Sequence, residues 1–373
     1  MNHMKYVVSC IAWVEALLKK EIERLWYEKI EVVDRMVSFE ADLKAMARIN
    51  LASRVGNKVY LELASAQVYD FDNLFDCLNW IDWRFYLPKN FPLIIKIKTI
   101  KSELSSVPAI QKISTKAILT KLTWSKFDFY KEDNELNPIE IFIFIKDDIL
   151  KVLLNTTGEA LHKRWYREWS HEAPIKESLA ASLVLLSNWD FRKNFYDFFC
   201  WSWTIAIEAA LIAKNIAPWL LGRKFAFENF SWVPESYLKD AKNEAESKIM
   251  KDKTYSIIAS DIDEESIEMA LINAKNAWVD DIIKFEKKSL NAYIWAKNLE
   301  WTLVSNPPYG LRLNPRDLDV IYNDISAILK NNKDLWGWII TSYEYFDKII
   351  DLKSWKKRKL YNWKELCYFY KKI

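Results

Sequence analysis

From Phe195 onward short apolar runs alternate with amphipathic stretches, and this alternation restricts the fold more than any other feature of the chain. Residues 195–199, 255–260, 282–286, 302–305 and 338–341 have strand character, while 205–213 and 264–276 repeat their apolar residues at helical spacing. Strands separated by helices predict a parallel sheet with helices on both faces. Ligands of such sheets sit beyond the carboxyl ends of the strands. The residues that close each run are therefore the candidates for chemistry.

The fourth run ends in Ser305-Asn306-Pro307-Pro308-Tyr309-Gly310. Two successive prolines fix φ and supply no N–H, so the strand stops there and leaves the sheet as a stiff loop. Asn306 and the proline carbonyls can accept hydrogen bonds from a planar amine, with the Tyr309 ring beside them to stack on a base. The first run contains Asp197 and is followed by Cys200-Trp201-Ser202-Trp203-Thr204, a loop that opens the next helix. Asp261 closes the second run, where a carboxylate can accept both hydroxyls of a ribose. Residues 225–253, helical and charged, lengthen the spacing between that loop and Asp261 beyond the usual ~20 residues of a dinucleotide fingerprint.

The first half reads differently. Strand-like and helical segments alternate through residue 63 as in a small α+β, ferredoxin-like sandwich. Residues 91–130 carry seven lysines against Glu103 and Asp128, a local excess larger than the +3 of the whole chain. A loop holding Lys101 and Ser105 leads into a helix bearing Lys112 and Lys116, an arrangement suited to phosphate oxygens. Residues 139–145 and 149–154 read as a hairpin. A basic junction with Lys163, Arg164 and Arg167 follows, and these residues are assigned to RNA contact as well; His162 beside them reads as structural. The expected division is 1–65 ferredoxin-like, 66–160 RNA-binding and 161–373 catalytic.

One count is abnormal. The chain has 5 Gly and 19 Trp, where average usage of about 7% would give roughly 26 glycines. Several Trp also stand where turn chemistry asks for glycine. Trp26 follows a helical run, Trp219 follows Pro218, and Trp201 and Trp203 flank Ser202 in the loop after the first run. We expect most of them to be UGA codons read as glycine by the source organism. Genuine Trp at 201 and 203 would fill that loop and favour an RNA-binding module without activity.

No apolar run approaches the roughly 20 residues of a membrane span, and no leader is read at the start. Cys10, Cys77, Cys200 and Cys367 lack metal-ligand spacing, which points to a reducing, cytoplasmic setting and no metal. A monomer is expected.

The chain resembles the bacterial THUMP-domain class I methyltransferases, the group that holds the 23S ribosomal RNA guanine-N2 methyltransferases. The resemblance rests on Lys101-Ser102-x-Leu104-x-Ser106-Val107-Pro108-Ala109-Ile110-Gln111, on Leu161-His162-Lys163-Arg164-x-Tyr166-Arg167, on Cys200-x-Ser202-x-Thr204-Ile205-x-Ile207-Glu208-Ala209-Ala210, and on Asn306-Pro307-Pro308-Tyr309-Gly310. It implies a Rossmann-like domain with a parallel-rich sheet behind a ferredoxin-like plus THUMP region. It also implies S-adenosylmethionine as methyl donor, lined by Asp197, Cys200, Trp201, Ser202, Trp203, Thr204 and Asp261, and structured RNA, ribosomal or transfer, as partner. Asn306 and the Pro307 carbonyl would hold the target amine beside Pro308 and Tyr309. Two departures stand out. Phe198 replaces the family's proline after the first acid, and Lys288-Ser289 replaces the acid expected to meet adenine, leaving Ser289 for that contact. Trp13, Trp26, Trp165, Trp201, Trp203, Trp219 and Trp278 fall on family glycines, whereas Trp83 and Trp189 fall on family tryptophans.

Overall fold

The structure, a computed structural model, describes residues 3–123, 130–167, 175–200, 203–220, 222–251, 253–309, 315–350, 354–363 and 365–372. The chain opens with β1 (Met4–Cys10), α1 (Glu15–Arg24), β2 (Glu31–Val33), β3 (Met36–Ala41), α2 (Lys44–Ala52) and β4 (Gly56–Gln67). It continues with α3 (Phe71–Trp80), α4 (Trp83–Tyr86), β5 (Leu93–Ile100), α5 (Val107–Leu122), β6 (Ile139–Lys146) and β7 (Ile149–Asn155). These strands form one seven-stranded sheet in the order β2-β3-β1-β4-β7-β6-β5. The expected boundary at 65/66 falls inside β4. That strand pairs antiparallel with β1 on one side and with β7 on the other. The ferredoxin-like and lysine-rich parts therefore share a sheet instead of folding as separate bodies.

The second half contains α6 (Glu177–Ser187), β8 (Phe195–Asp197), α7 (Thr204–Ala213), α8 (Ser236–Ser247), β9 (Ile257–Asp261), α9 (Glu264–Asn276) and β10 (Ile283–Lys287). After these come α10 (Asn291–Ile294), β11 (Trp301–Ser305), α11 (Pro315–Asn331), β12 (Leu335–Thr341), α12 (Phe346–Ile349), β13 (Trp355–Asn362) and β14 (Glu365–Lys372). The sheet order is β10-β9-β8-β11-β12-β14-β13. The five strands β10 to β12 are parallel, as the alternation requires, and β14 runs antiparallel to β12 and β13. The strand order reverses between β8 and β11, which opens a crevice at their carboxyl ends. The hairpin β13–β14 was not foreseen, because residues 356–359 are charged and exposed and only Leu360 and Asn362 of the later part turn inward.

Helix α7 is buried on every side, so after Thr204 at its first position its sequence is apolar all round except for Glu208. That carboxylate is matched from the junction. Both side chains of the Arg164–Glu208 pair are fully buried. Arg164 donates from Nε to Glu208 at 3.1 Å and from its terminal nitrogens to the carbonyls of Leu161 and Arg54 at 2.5 and 2.7 Å. Tyr166 donates to the same Glu208 oxygen. The Leu161 N–H bonds the Asn57 carbonyl at 2.7 Å. A polar seam thus fastens the second half of the chain to the start of β4 and the loop before it. Among the described residues no helix is long and apolar enough to cross a membrane.

Candidate active site

The two ends of the switch point meet through side chains. Ser305, the last residue of β11, donates to the Asp197 carboxylate at 3.2 Å, and the Phe198 N–H donates to the Ser305 hydroxyl at 3.1 Å. The Phe199 N–H adds a second bond to Asp197. Even so, complete burial and the nearby Asp261 charge push the Asp197 carboxyl up to about 7. Asp261 ends β9 and accepts from the Asp263 N–H at 3.1 Å, and Asp263 caps α9 through the Ser266 N–H. Cys200 is buried, and burial beside Asp197 and Asp261 raises its thiol well above the ordinary range. The two acids predicted from the strand ends are therefore neighbours across adjacent strands.

Beyond β11 the proline corner is held from behind. The Tyr322 hydroxyl donates to the Pro308 carbonyl at 3.1 Å and also meets Thr341. Tyr309 is buried, with its hydroxyl accepting from Asn362 at 2.9 Å, and burial raises its pKa. The sequence places this ring as a stacking platform; the structure uses it as a wedge between the corner and the β13–β14 hairpin. Asn306 differs from its neighbours. Its side-chain oxygen is shielded from solvent and has no hydrogen-bond partner among the described residues. Gly310 lies outside the described residues.

Other side chains of the site escaped the sequence. Phe198 stacks on Tyr293 of α10 with ring centroids 4.1 Å apart, and the Lys288 ammonium sits 3.9 Å from the centroid of that Tyr293 ring. An aromatic wall thus stands where the family pattern has proline. Ser289 follows β10 half-buried, its carbonyl accepting from the Ala292 N–H. Ser305 and Asn362 were missed as well. A hydroxyl at the last position of an otherwise apolar strand was the available signal for Ser305; Asn362 had none.

The cofactor loop is described only in part, since Trp201 and Ser202 lie outside the described residues. Trp203 caps α7, is 1% exposed and has φ of 40°. Thr204 is buried and accepts from Arg167. The strand-end acids suit the hydroxyl and ammonium groups of S-adenosylmethionine, whereas a buried indole at the helix N-terminus does not. A cavity of 1070 Å³ lies at the opposite ends of the strands, among Glu21, Arg54, Asn188, Arg192 and Tyr255, away from this chemistry.

Of the residues expected to meet RNA, Lys101, Ser105, Lys112, Lys116 and Lys163 are exposed. The loop that carries Lys101 is pinned by the β6–β7 turn: Asp148 accepts from the Glu103 N–H, and its own N–H bonds Ser102. Arg164 and Arg167 are corrections to the sequence reading. Arg164 lies in the seam with Glu208, and Arg167 pairs with buried Glu177 at 3.3 Å. His162 is structural as expected; its Nδ1 meets Asn57, and burial among cations lowers its pKa to about 4.

A seven-stranded sheet of this order, with acids at two neighbouring strand ends and an Asn-Pro-Pro corner at the next, defines a class I methyltransferase. Residues 164–371 match the family described as an RMKL-like methyltransferase domain, and residues 5–60 match the RlmL ferredoxin-like domain. The Bacillus subtilis protein YpsC, provisionally named an RNA methyltransferase, is 38% identical over 97% of this chain and 94% of its own length. A Listeria monocytogenes structure described as a predicted N6-adenine-specific DNA methylase is 35% identical, with a TM-score of 0.91 over 100% of this chain and 97% of that one. SMU.472, provisionally named a methyltransferase and solved with S-adenosylhomocysteine, is 32% identical, with a TM-score of 0.87 over 100% and 98% of the two chains. The chain belongs to the RMKL-like methyltransferase family. It is an S-adenosylmethionine-dependent methyltransferase.

Proposed function

We propose that the protein methylates the exocyclic N2 of a guanine in structured RNA, with 23S ribosomal RNA as the substrate. The observation that carries this is the Asn306 oxygen, shielded and without a partner among the described residues. A buried acceptor left unsatisfied costs about 1–3 kcal/mol, so it persists where something else uses it. An N–H of an exocyclic amine fits that oxygen. When bound, S-adenosylmethionine supplies an electrophilic methyl group. The guanine N2 lone pair is delocalised into the ring, and acceptors on its hydrogens favour the change toward a tetrahedral nitrogen. Asn306 and the Pro307 carbonyl supply those acceptors on a corner that Tyr322 and Tyr309 hold rigid, and positioning contributes most of the rate. Lys101, Lys112 and Lys116 provide the exposed phosphate contacts.

The name of YpsC favours RNA, while the description of the Listeria protein favours an adenine amine in DNA. Transcripts made with inosine, which lacks the N2 amine, separate these. Methyl transfer to guanosine transcripts of 23S RNA and none to inosine transcripts is expected. Transfer that survives inosine, or that prefers duplex DNA, would overturn the proposal; preference for transfer RNA would move the substrate and keep the chemistry.

A further inference from the structure

We infer that positions 13, 26, 203, 278, 301 and 363, written as tryptophan, are glycine in the working protein, and that glycine at 203 is what lets the loop after β8 accept the methyl donor. All six have positive φ, from 40° at Trp203 to 88° at Trp301. A bulky side chain there is an outlier, because its Cβ crowds the following carbonyl. Glycine has no such penalty.

The local hydrogen bonds show what each position is for. After α1, the Trp26 N–H bonds the Glu23 carbonyl and the Tyr27 N–H bonds the Ile22 carbonyl. After α9, Trp278 bonds Lys275 and Val279 bonds Ala274 in the same pattern. This is the Schellman ending, whose left-handed residue is usually glycine. Helix α7 ends identically, and there the left-handed residue is Asn215, which tolerates that conformation. Trp363 begins the two-residue connection between β13 and β14, a turn that requires positive φ.

At the exposed positions packing does little to offset the strain. Trp26 is 87% exposed, Trp278 59% and Trp13 54%. The single buried member of the six is Trp203, at the N-terminus of α7 where the backbone must come close to a ligand. By contrast Trp83, buried with its indole N–H bonded to the Leu78 carbonyl, has ordinary φ and is a true tryptophan position. The common cause is a UGA codon translated as glycine. Nineteen tryptophans beside 5 glycines fit that cause.

Two measurements test this without reading activity. First, peptide mass spectrometry of the protein from its native source should show glycine at the six positions; tryptophan there overturns the inference. Second, the chain as written is compared with W13G, W26G, W278G, W301G and W363G combined, and with that set plus W203G. The fivefold change should raise the thermal midpoint by roughly 10 °C; Trp83→Gly should lower it. An unchanged or lower midpoint for the fivefold change overturns the backbone part. Adding W203G should tighten S-adenosylhomocysteine binding, by calorimetry, about a hundredfold or more. Unchanged affinity overturns the role of position 203. The cofactor arm rests on the methyltransferase assignment and the stability arm does not, so the two fail separately.

Discussion

Arg164→Met is expected to unfold the protein early and leave RNA contact untouched. The guanidinium is fully buried and holds three acceptors: the Glu208 carboxylate and the carbonyls of Leu161 and Arg54. Methionine keeps much of the volume and removes every donor. Glu208 would keep the Tyr166 hydroxyl and the field of Arg54, whose own charge is already disfavoured by burial. Removing one partner of a buried pair costs about 3–5 kcal/mol. Against a total stability of about 5–15 kcal/mol that is roughly a fifth or more. Urea unfolding reads it as a lower midpoint at unchanged slope. The double variant Arg164→Met/Glu208→Gln discharges the stranded carboxylate and should recover at least about 1 kcal/mol of the loss. An unchanged midpoint with weakened RNA binding would refute this reasoning and return Arg164 to the RNA face.

Three other outcomes are expected. Asn306→Ala should lower kcat more than about tenfold while S-adenosylhomocysteine affinity changes little; unaltered turnover would remove Asn306 from the chemistry. Lys101, Lys112 and Lys116 changed together to alanine should reduce the salt slope of RNA binding by about 2–3 without altering the melting point, and an unmoved slope would count against that face. Asp197→Asn tests the raised carboxyl. The folded state keeps its proton up to about pH 7, whereas an unfolded Asp releases it near pH 4, so the natural chain loses stability as pH rises between those values. Relative to it, the amide variant should gain about 2–3 kcal/mol between pH 5 and pH 8; a flat difference would show that Asp197 ionises freely.

The catalytic sheet was legible because its signal is local. Each strand is a short apolar run, each helix has its own period, and acids and prolines mark the strand ends. Asp197 and Asp261 could be placed for that reason. What stayed hidden depends on partners far away in sequence. Nothing near Arg164 announces that Glu208 will stand buried 44 residues later, so a basic junction reads as an RNA surface. Tyr309 beside a corner reads as a platform until a hairpin of charged residues brings Asn362 to its hydroxyl. The expected boundary at 65/66 lies inside a strand for a related reason, since a strand that pairs on both edges looks in sequence like the end of one unit. Left-handed backbone at six tryptophans is likewise invisible in composition, though composition had already raised the question.

The seam of Arg164, Glu208 and Arg54 has a geometric consequence. Among the described residues it ties the lysine-bearing sheet to the sheet that carries the proline corner through buried hydrogen bonds. Under the proposed function, a target is then selected by its span from the gripped phosphates, and the identity of intervening nucleotides matters less than the shape that sets that span. Lengthening the RNA stem between grip and target should silence methylation, and a compensating deletion should restore it.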